Sequence, residues 1–198
     1  KADIDFYSEV RAMEAIETSD AAIFLLDAET GITLDDKKIA GFLEKVKKPF
    51  VFAVNKWDLV TEKRKQMEKQ FIQHLSDSLP RFTFIPVIFI SAKTGWHIPQ
   101  LFHHILQVIE NGKVRVPTPI LNRILSDFRE TTTLPSRGRK RLYLAYTTQV
   151  GISPPHFVLM VNDPALVNNS ILLQWEQFLR RFYPFPGVCL RFTVRKKS

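Results

Sequence analysis

Phe50-Val51-Phe52-Ala53-Val54 is an unbroken apolar run between Pro49 and Asn55, and it constrains the fold more than any other stretch. Alternating polar and apolar residues mark a strand with one wet face; five apolar residues in a row mark a strand covered on both. Two similar runs flank it: Ala21 to Leu26, ending at Asp27, and Val87-Ile88-Phe89-Ile90. Helical patterns separate them. Thr33-Leu34-Asp35-Asp36 resembles a capping box, with Ile39, Ala40, Leu43 and Val46 continuing one face. Further helices are expected over 3–18 and 61–78. A last one carries Ile98, Leu101, Phe102, Ile105, Leu106 and Ile109 at a 3.6-residue period and stops at Asn111-Gly112. Helix and buried strand in alternation predict a parallel sheet with right-handed crossovers. With three strands and a helical start, the first half is expected to be the back of an α/β domain, with one sheet edge bare.

In such sheets ligands sit beyond the carboxyl ends of the strands. Asn55-Lys56-Trp57-Asp58 follows the second run and Ser91-Ala92-Lys93 the third. A carboxylate there accepts from guanine N1–H and the exocyclic 2-amino group together. Adenine has an acceptor at N1 and no 2-amino group, so an Asp faces it unpaired. The alternative is structural: Asp58 caps a helix starting near Thr61, and Ser91 makes a local turn. Either motif alone leaves that alternative open; the two together favour base recognition by Asn55, Lys56, Trp57, Asp58, Ser91, Ala92 and Lys93.

These two motifs resemble the last two base-recognition motifs of P-loop GTPases. The resemblance implies that Asn55 steadies the loop and reaches the base, Lys56 lays its stem along the ring, and Asp58 reads guanine. It also implies that the Ala92 N–H donates to the guanine carbonyl oxygen, with Ser91 bracing the loop and Lys93 flanking the base. The phosphate-cradling G-x-x-x-x-G-K-[ST] motif is missing, because Gly112-Lys113 is preceded by Gln107 and followed by Val114. No Asp is followed three residues later by Gly. GTP or GDP is therefore expected to make base contacts only, Mg²⁺ to belong to an intact protein rather than to this chain, and hydrolysis to be absent. Asp27-Ala28-Glu29-Thr30-Gly31 begins like a calcium loop, but the position that needs glycine holds Ile32.

Composition enters once it is divided. Residues 1–112 carry 14 Lys and Arg against 16 Asp and Glu, a net of −2; residues 113–198 carry 14 against 4, a net of +10. Ten of those 14 C-terminal cations are Arg, which forks onto phosphates and stacks on bases better than Lys. This asymmetry predicts two domains and a polyanionic partner for the second. No apolar run approaches the ~20 residues that span a bilayer, so no membrane partner is expected. The single Cys189 cannot form an internal disulfide or a zinc site alone and reads as a small core residue. His103-His104 diverge on a helix, so a metal-free, cytoplasmic protein is expected.

After a linker at 113–119, Thr118 is expected to cap a helix with Pro119 first and Ile120, Leu121, Ile124, Leu125 and Phe128 on its apolar face. Residues 131–141 read as a mobile basic loop whose Arg137, Arg139, Lys140 and Arg141 are candidate RNA contacts. Strands follow at 142–150 and 157–161, a helix at 171–183 with Trp175, Phe178 and Leu179, and a final strand from Val188 to Arg195. The order α-β-β-α-β predicts a three-stranded sheet with both helices on one face, over 120–198.

Ala145-Tyr146-Thr147-Thr148-Gln149-Val150, the segment Pro154 to Asn162, and Arg191-Phe192-Thr193-Val194-Arg195-Lys196 resemble the C-terminal KH-like domain of the EngA/Der family of ribosome-assembly GTPases. Asp27 to Thr33 is similar to that family's segment after its fourth strand. The resemblance covers nearly the whole chain, as a partial P-loop GTPase domain (a three-stranded parallel remnant, 1–112) followed by an α-β-β-α-β KH-like domain. Val188-Cys189 and Gly151-Ile152 depart from its pattern. A true KH domain clamps the backbone with G-x-x-G, and no two glycines here are three apart. The resemblance implies docking on the large ribosomal subunit and its rRNA, controlled by guanine nucleotide. Competing readings are an RNA-binding module on a GTPase scaffold, and a protein-binding domain that uses the bared apolar surface. That bare surface is also expected to favour a non-native dimer.

Overall fold

The computed structural model describes residues 11–138 and 140–197, which fall into two units. The first comprises Lys1–Asn111 and Pro186–Cys189. Helix α1 covers residues 11–18, and the rest of its predicted span lies outside the described residues. Strands β1 (Ala22–Asp27), β2 (Phe50–Asn55) and β3 (Val87–Phe89) form a parallel sheet in that order. Helix α2 (Leu34–Val46) starts at a complete capping box: the Asp36 N–H donates to Thr33 Oγ1, and the Thr33 N–H donates to the Asp36 carboxylate. Helix α3 (Arg64–Ser78) and helix α4 (Ile98–Gly112) complete the unit.

All five residues of the run 50–54 are fully buried, as a doubly covered strand requires. Phe24, Leu26, Phe50, Phe52, Val54 and Phe89 join Ala40 and Leu43 of α2 and Leu75 of α3 in one apolar cluster. On β1 the alternate residues Ile23 and Leu25 are exposed, although their register partners Val51 and Ala53 are not. Among the described residues the sheet is thus covered on both faces at β2, while β1 keeps Ile23 and Leu25 exposed.

Residues 186–189 group with the first unit. The Phe50 N–H donates to the Gly187 carbonyl, the Gly187 N–H donates to the Phe84 carbonyl, and Cys189 is buried in the first unit's apolar cluster. The last strand therefore begins at Arg191 rather than Val188, because the residues before it are engaged elsewhere.

The second unit comprises Gly112–Phe185 and Leu190–Ser198. It holds helix α5 (Thr118–Thr131), a two-rung hairpin of β4 (Ser136–Arg137) and β5 (Lys140–Arg141), strands β6 (Leu144–Gly151) and β7 (His156–Val161), helix α6 (Asn169–Arg180) and strand β8 (Arg191–Lys196). Strand β7 is central, antiparallel to β6 and parallel to β8. Leu121, Ile124, Leu125 and Phe128 are the buried face of α5, and Phe128 meets Trp175 of α6 edge-on at 5.4 Å. The 131–141 stretch is a paired hairpin at its tip, not an unstructured loop. Pro117 rather than Thr118 occupies the cap of α5, and the Thr118 hydroxyl lies 3.4 Å from that of Thr148. The 113–119 stretch is fastened to β6 by Gln149, whose amide bonds Val116 N–H and the Val114 carbonyl.

Candidate base-recognition site and basic surface

Parallel pairing puts Asp27 and Asn55 side by side where β1 and β2 end. Past them the chain turns sharply: Lys56 takes the left-handed conformation (φ 65°), and a short 3-10 turn carries Trp57–Leu59. The Ile90 carbonyl accepts from the Trp57 N–H, which places the loop after β3 against the loop after β2. That second loop closes on itself. The Ser91 N–H donates to the Trp96 carbonyl, Gly95 donates back to Ser91 at φ 78°, and the Thr94 N–H donates to Ser91 Oγ.

The two motifs are joined where the Ala92 N–H donates to Asn55 Oδ1 at 2.9 Å. Ser91 is fully buried, and its hydroxyl is hydrogen-bonded to Asp58. This bond, ahead of the nearby Lys93 and Arg64, holds the Asp58 carboxyl below the usual carboxylate range. The Asp58 carboxylate is thus an ionised hydrogen-bond acceptor at the meeting point of the two loops. Asp58 does not cap α3, whose N-cap is Lys63 without a side-chain bond.

Lys56 reaches across to β1. Its ammonium lies 2.6 Å from Asp27 and 3.5 Å from Glu29, so the acidic turn that begins like a calcium loop holds a side-chain cation instead. The Asp27 pKa is lowered, first by Lys56 and then by the Glu29 N–H; the Lys56 pKa is raised by Asp27. Sequence reasoning missed this pairing, though Asp27 closing the neighbouring strand was its visible signal. It also missed Arg64, whose guanidinium lies 5.6 Å from the Trp96 ring centroid beside Asp58. Trp57 departs from the expected set: its side chain is 1% exposed and packs on Phe89 and Phe71, so it anchors the motif from beneath and cannot touch a base.

In the second unit Arg137, Lys140 and Arg141 are exposed on the hairpin, while Arg139 lies outside the described residues. No group of three or more His, Cys, Asp or Glu able to hold a metal occurs among the described residues, and no helix there is long and apolar enough to cross a membrane.

Residues 3–111 match the Elongation factor Tu GTP binding domain, and residues 115–195 match the KH-domain-like of EngA bacterial GTPase enzymes, C-terminal. Proteins named GTPase Der are similar over almost the whole chain. That of Alkaliphilus oremlandii is 35% identical over 98% of this chain and 44% of its own length; that of Halothermothrix orenii is 38% identical over 98% and 44%. The one from Agathobacter rectalis is 38% identical over 100% and 45%. The chain thus spans less than half the length of these curated relatives. The solved structure of Era in complex with MgGDPNP and nucleotides 1506-1542 of 16S ribosomal RNA aligns over 94% of this chain and 68% of that one. The alignment has 19% sequence identity and a TM-score of 0.44. The two matches together cover the two units just described: the chain belongs to the family of GTPases with an elongation factor Tu type GTP-binding domain, and within it to the EngA/Der group whose KH-like domain it carries.

Proposed function

We propose that this chain supplies guanine recognition and the RNA-facing module of a cytoplasmic GTPase that acts in assembly of the large ribosomal subunit. The observation that carries this reading is the Asn55–Ala92 bond, which unites two separate motifs around an ionised, Ser91-braced Asp58. GTP or GDP would place its base between them, sharing the Ala92 N–H with its carbonyl oxygen, with Lys56 and Lys93 on its flanks. Asp27 and Glu29, the carboxylates beside the site, are turned to Lys56.

RNA contact rests on the +10 half and its exposed hairpin cations. Replacing Arg137, Arg139, Lys140 and Arg141 together with Ala leaves up to four phosphates without a cation. The slope of log affinity against log salt is expected to fall by about 0.7–0.9 for each phosphate no longer neutralised. Filter binding of ribosomal RNA across a salt series checks this, with equal affinities and slopes for both proteins as the outcome that refutes it. Folding is spared, because the exposed hairpin contributes nothing to the core of Phe128, Leu144, Phe157 and Trp175.

Exposed Ile23 and Leu25 on β1, an edge strand among the described residues, support self-association. Light scattering is expected to give a mass that rises with concentration, and a constant monomer mass would sink the idea.

A further inference from the structure

We propose that a hollow in the second unit, between the last turns of α5 and the start of β6, is a site for one nucleotide of single-stranded RNA. Its phosphate would lie against Arg129 and Arg141 and its base on the Tyr143 ring. The inference rests on the RNA-facing reading above and adds a defined site at the base of the hairpin, where Arg141 is shared with the cations already named. The hollow holds about 490 Å³, within the size range of ligand sites, and its apolar floor is formed by buried Leu134 and Leu142.

Arg129 is the first observation. Its guanidinium is half-buried and donates to Tyr143 Oη at 2.7 Å, the Leu144 carbonyl at 3.1 Å and Ser126 Oγ at 3.2 Å. Every one of these acceptors is neutral. Among the described residues no carboxylate pairs with Arg129, and Glu176, one of four acids in this half, is taken by Arg180. A partly desolvated cation without a counter-charge, with donors left over, favours an incoming phosphate.

Tyr143 is the second. The Arg129 guanidinium sits 5.1 Å from its ring centroid, and its hydroxyl is tied, yet 51% of the residue is exposed. Its backbone is clamped as well. The Tyr143 N–H donates to Asn162 Oδ1, the Asn162 N–H donates to the Tyr143 carbonyl, and Asn162 Nδ2 donates to the Arg141 carbonyl. The platform is thus fixed before any base arrives, which lowers the ordering cost of stacking. Glu130, exposed on the rim, supplies the third element. A carboxylate repels further phosphates and acidic peptides but accepts from an exocyclic amino group, as on cytosine or adenine. Two cations, one ring and one acceptor match the parts of a nucleotide.

Fluorescence anisotropy with seven-residue oligo(C) and oligo(U) strands, on the full chain at several salt concentrations, decides it. Tyr143→Ala is expected to weaken oligo(C) binding about 5- to 150-fold with an unchanged salt slope, because stacking releases no counterions. Tyr143→Phe should keep most of the affinity. Glu130→Ala should abolish the preference for C over U by lowering oligo(C) affinity to that of oligo(U) and leaving oligo(U) unweakened, and since that side chain is exposed it decides the matter even where Tyr143→Ala fails to fold. Wild-type affinity in Tyr143→Ala, or an unchanged base preference in Glu130→Ala, overturns the proposal while leaving general RNA binding intact. A wild type that binds structured ribosomal RNA but neither oligomer also overturns the site and leaves the broader reading standing. Tighter binding of a poly-glutamate peptide than of either oligomer overturns both.

Discussion

Gly187→Ala is expected to destabilise the protein by about 2–5 kcal/mol, through about 1–2 of left-handed backbone strain and about 1–3 of overpacking. Gly187 has φ 76°; a Cβ there would overlap Val108 Cγ2, sit 2.7 Å from Cγ1 and 3.0 Å from the Phe50 carbonyl oxygen. Backing away is not open to it, because its own carbonyl and N–H are bonded to Phe50 and Phe84. Against a typical total of about 5–15 kcal/mol the loss is large. Urea denaturation midpoints measure it, with two internal checks. Gly41→Ala lies inside α2 with nothing within 4 Å of the new Cβ, and should stabilise by about 0.5–1 kcal/mol. Val108→Ala should recover part of the loss only in the Gly187→Ala background. A wild-type midpoint for Gly187→Ala would mean that the 186–189 segment does not pack on the first unit.

That segment also marks where the sequence stopped being legible. The three parallel strands, the capping box of α2 and the α-β-β-α-β order were readable because each is a local signal: an apolar run, a spacing, a turn residue. Pro184, Pro186 and Gly187 announced a helix end, but nothing local says that Gly187 hydrogen-bonds to Phe50 and Phe84, more than a hundred positions earlier. Thr118 misled for a related reason. Cap propensity is a weak preference, and Thr148 on a neighbouring strand offered its hydroxyl another neighbour. In the base-recognition motif, letters alone could not separate Trp57, which faces the core, from Asp58, which faces the loop after β3. A one-residue step along a tight turn reverses the direction of a side chain, and only packing against Phe71 and Phe89 settles it.

Asp58→Asn is the substitution that tests the base site most sharply, since it is nearly isosteric and changes only hydrogen-bond polarity. Guanine offers two donors on its N1 and 2-amino edge, and a carboxylate accepts both. An Asn accepts one and opposes the other with its own N–H₂. Xanthine carries a carbonyl where guanine has the amino group, so the same Asn matches it. Losing one hydrogen bond to a charged group is expected to weaken guanosine binding about 10- to 100-fold, while xanthosine binding strengthens by a similar factor. Competition calorimetry with the two nucleosides reads the ratio directly, and phosphates need not be involved. The pH profile adds a second check. The Ser91 bond lowers the Asp58 pKa, so the carboxylate stays charged through the ordinary titration range near ~3.9, and the preference is lost only as pH falls through the lower, folded-state value. The same sign holds for stability: what Asp58 contributes is present above the unfolded value and disappears on acidification. Ser91→Ala removes the leading cause of that shift, so the loss of guanine preference should move to higher pH. An unchanged guanine-to-xanthine ratio in Asp58→Asn would place the base elsewhere, and an unchanged pH profile in Ser91→Ala would remove Ser91 from its supporting role.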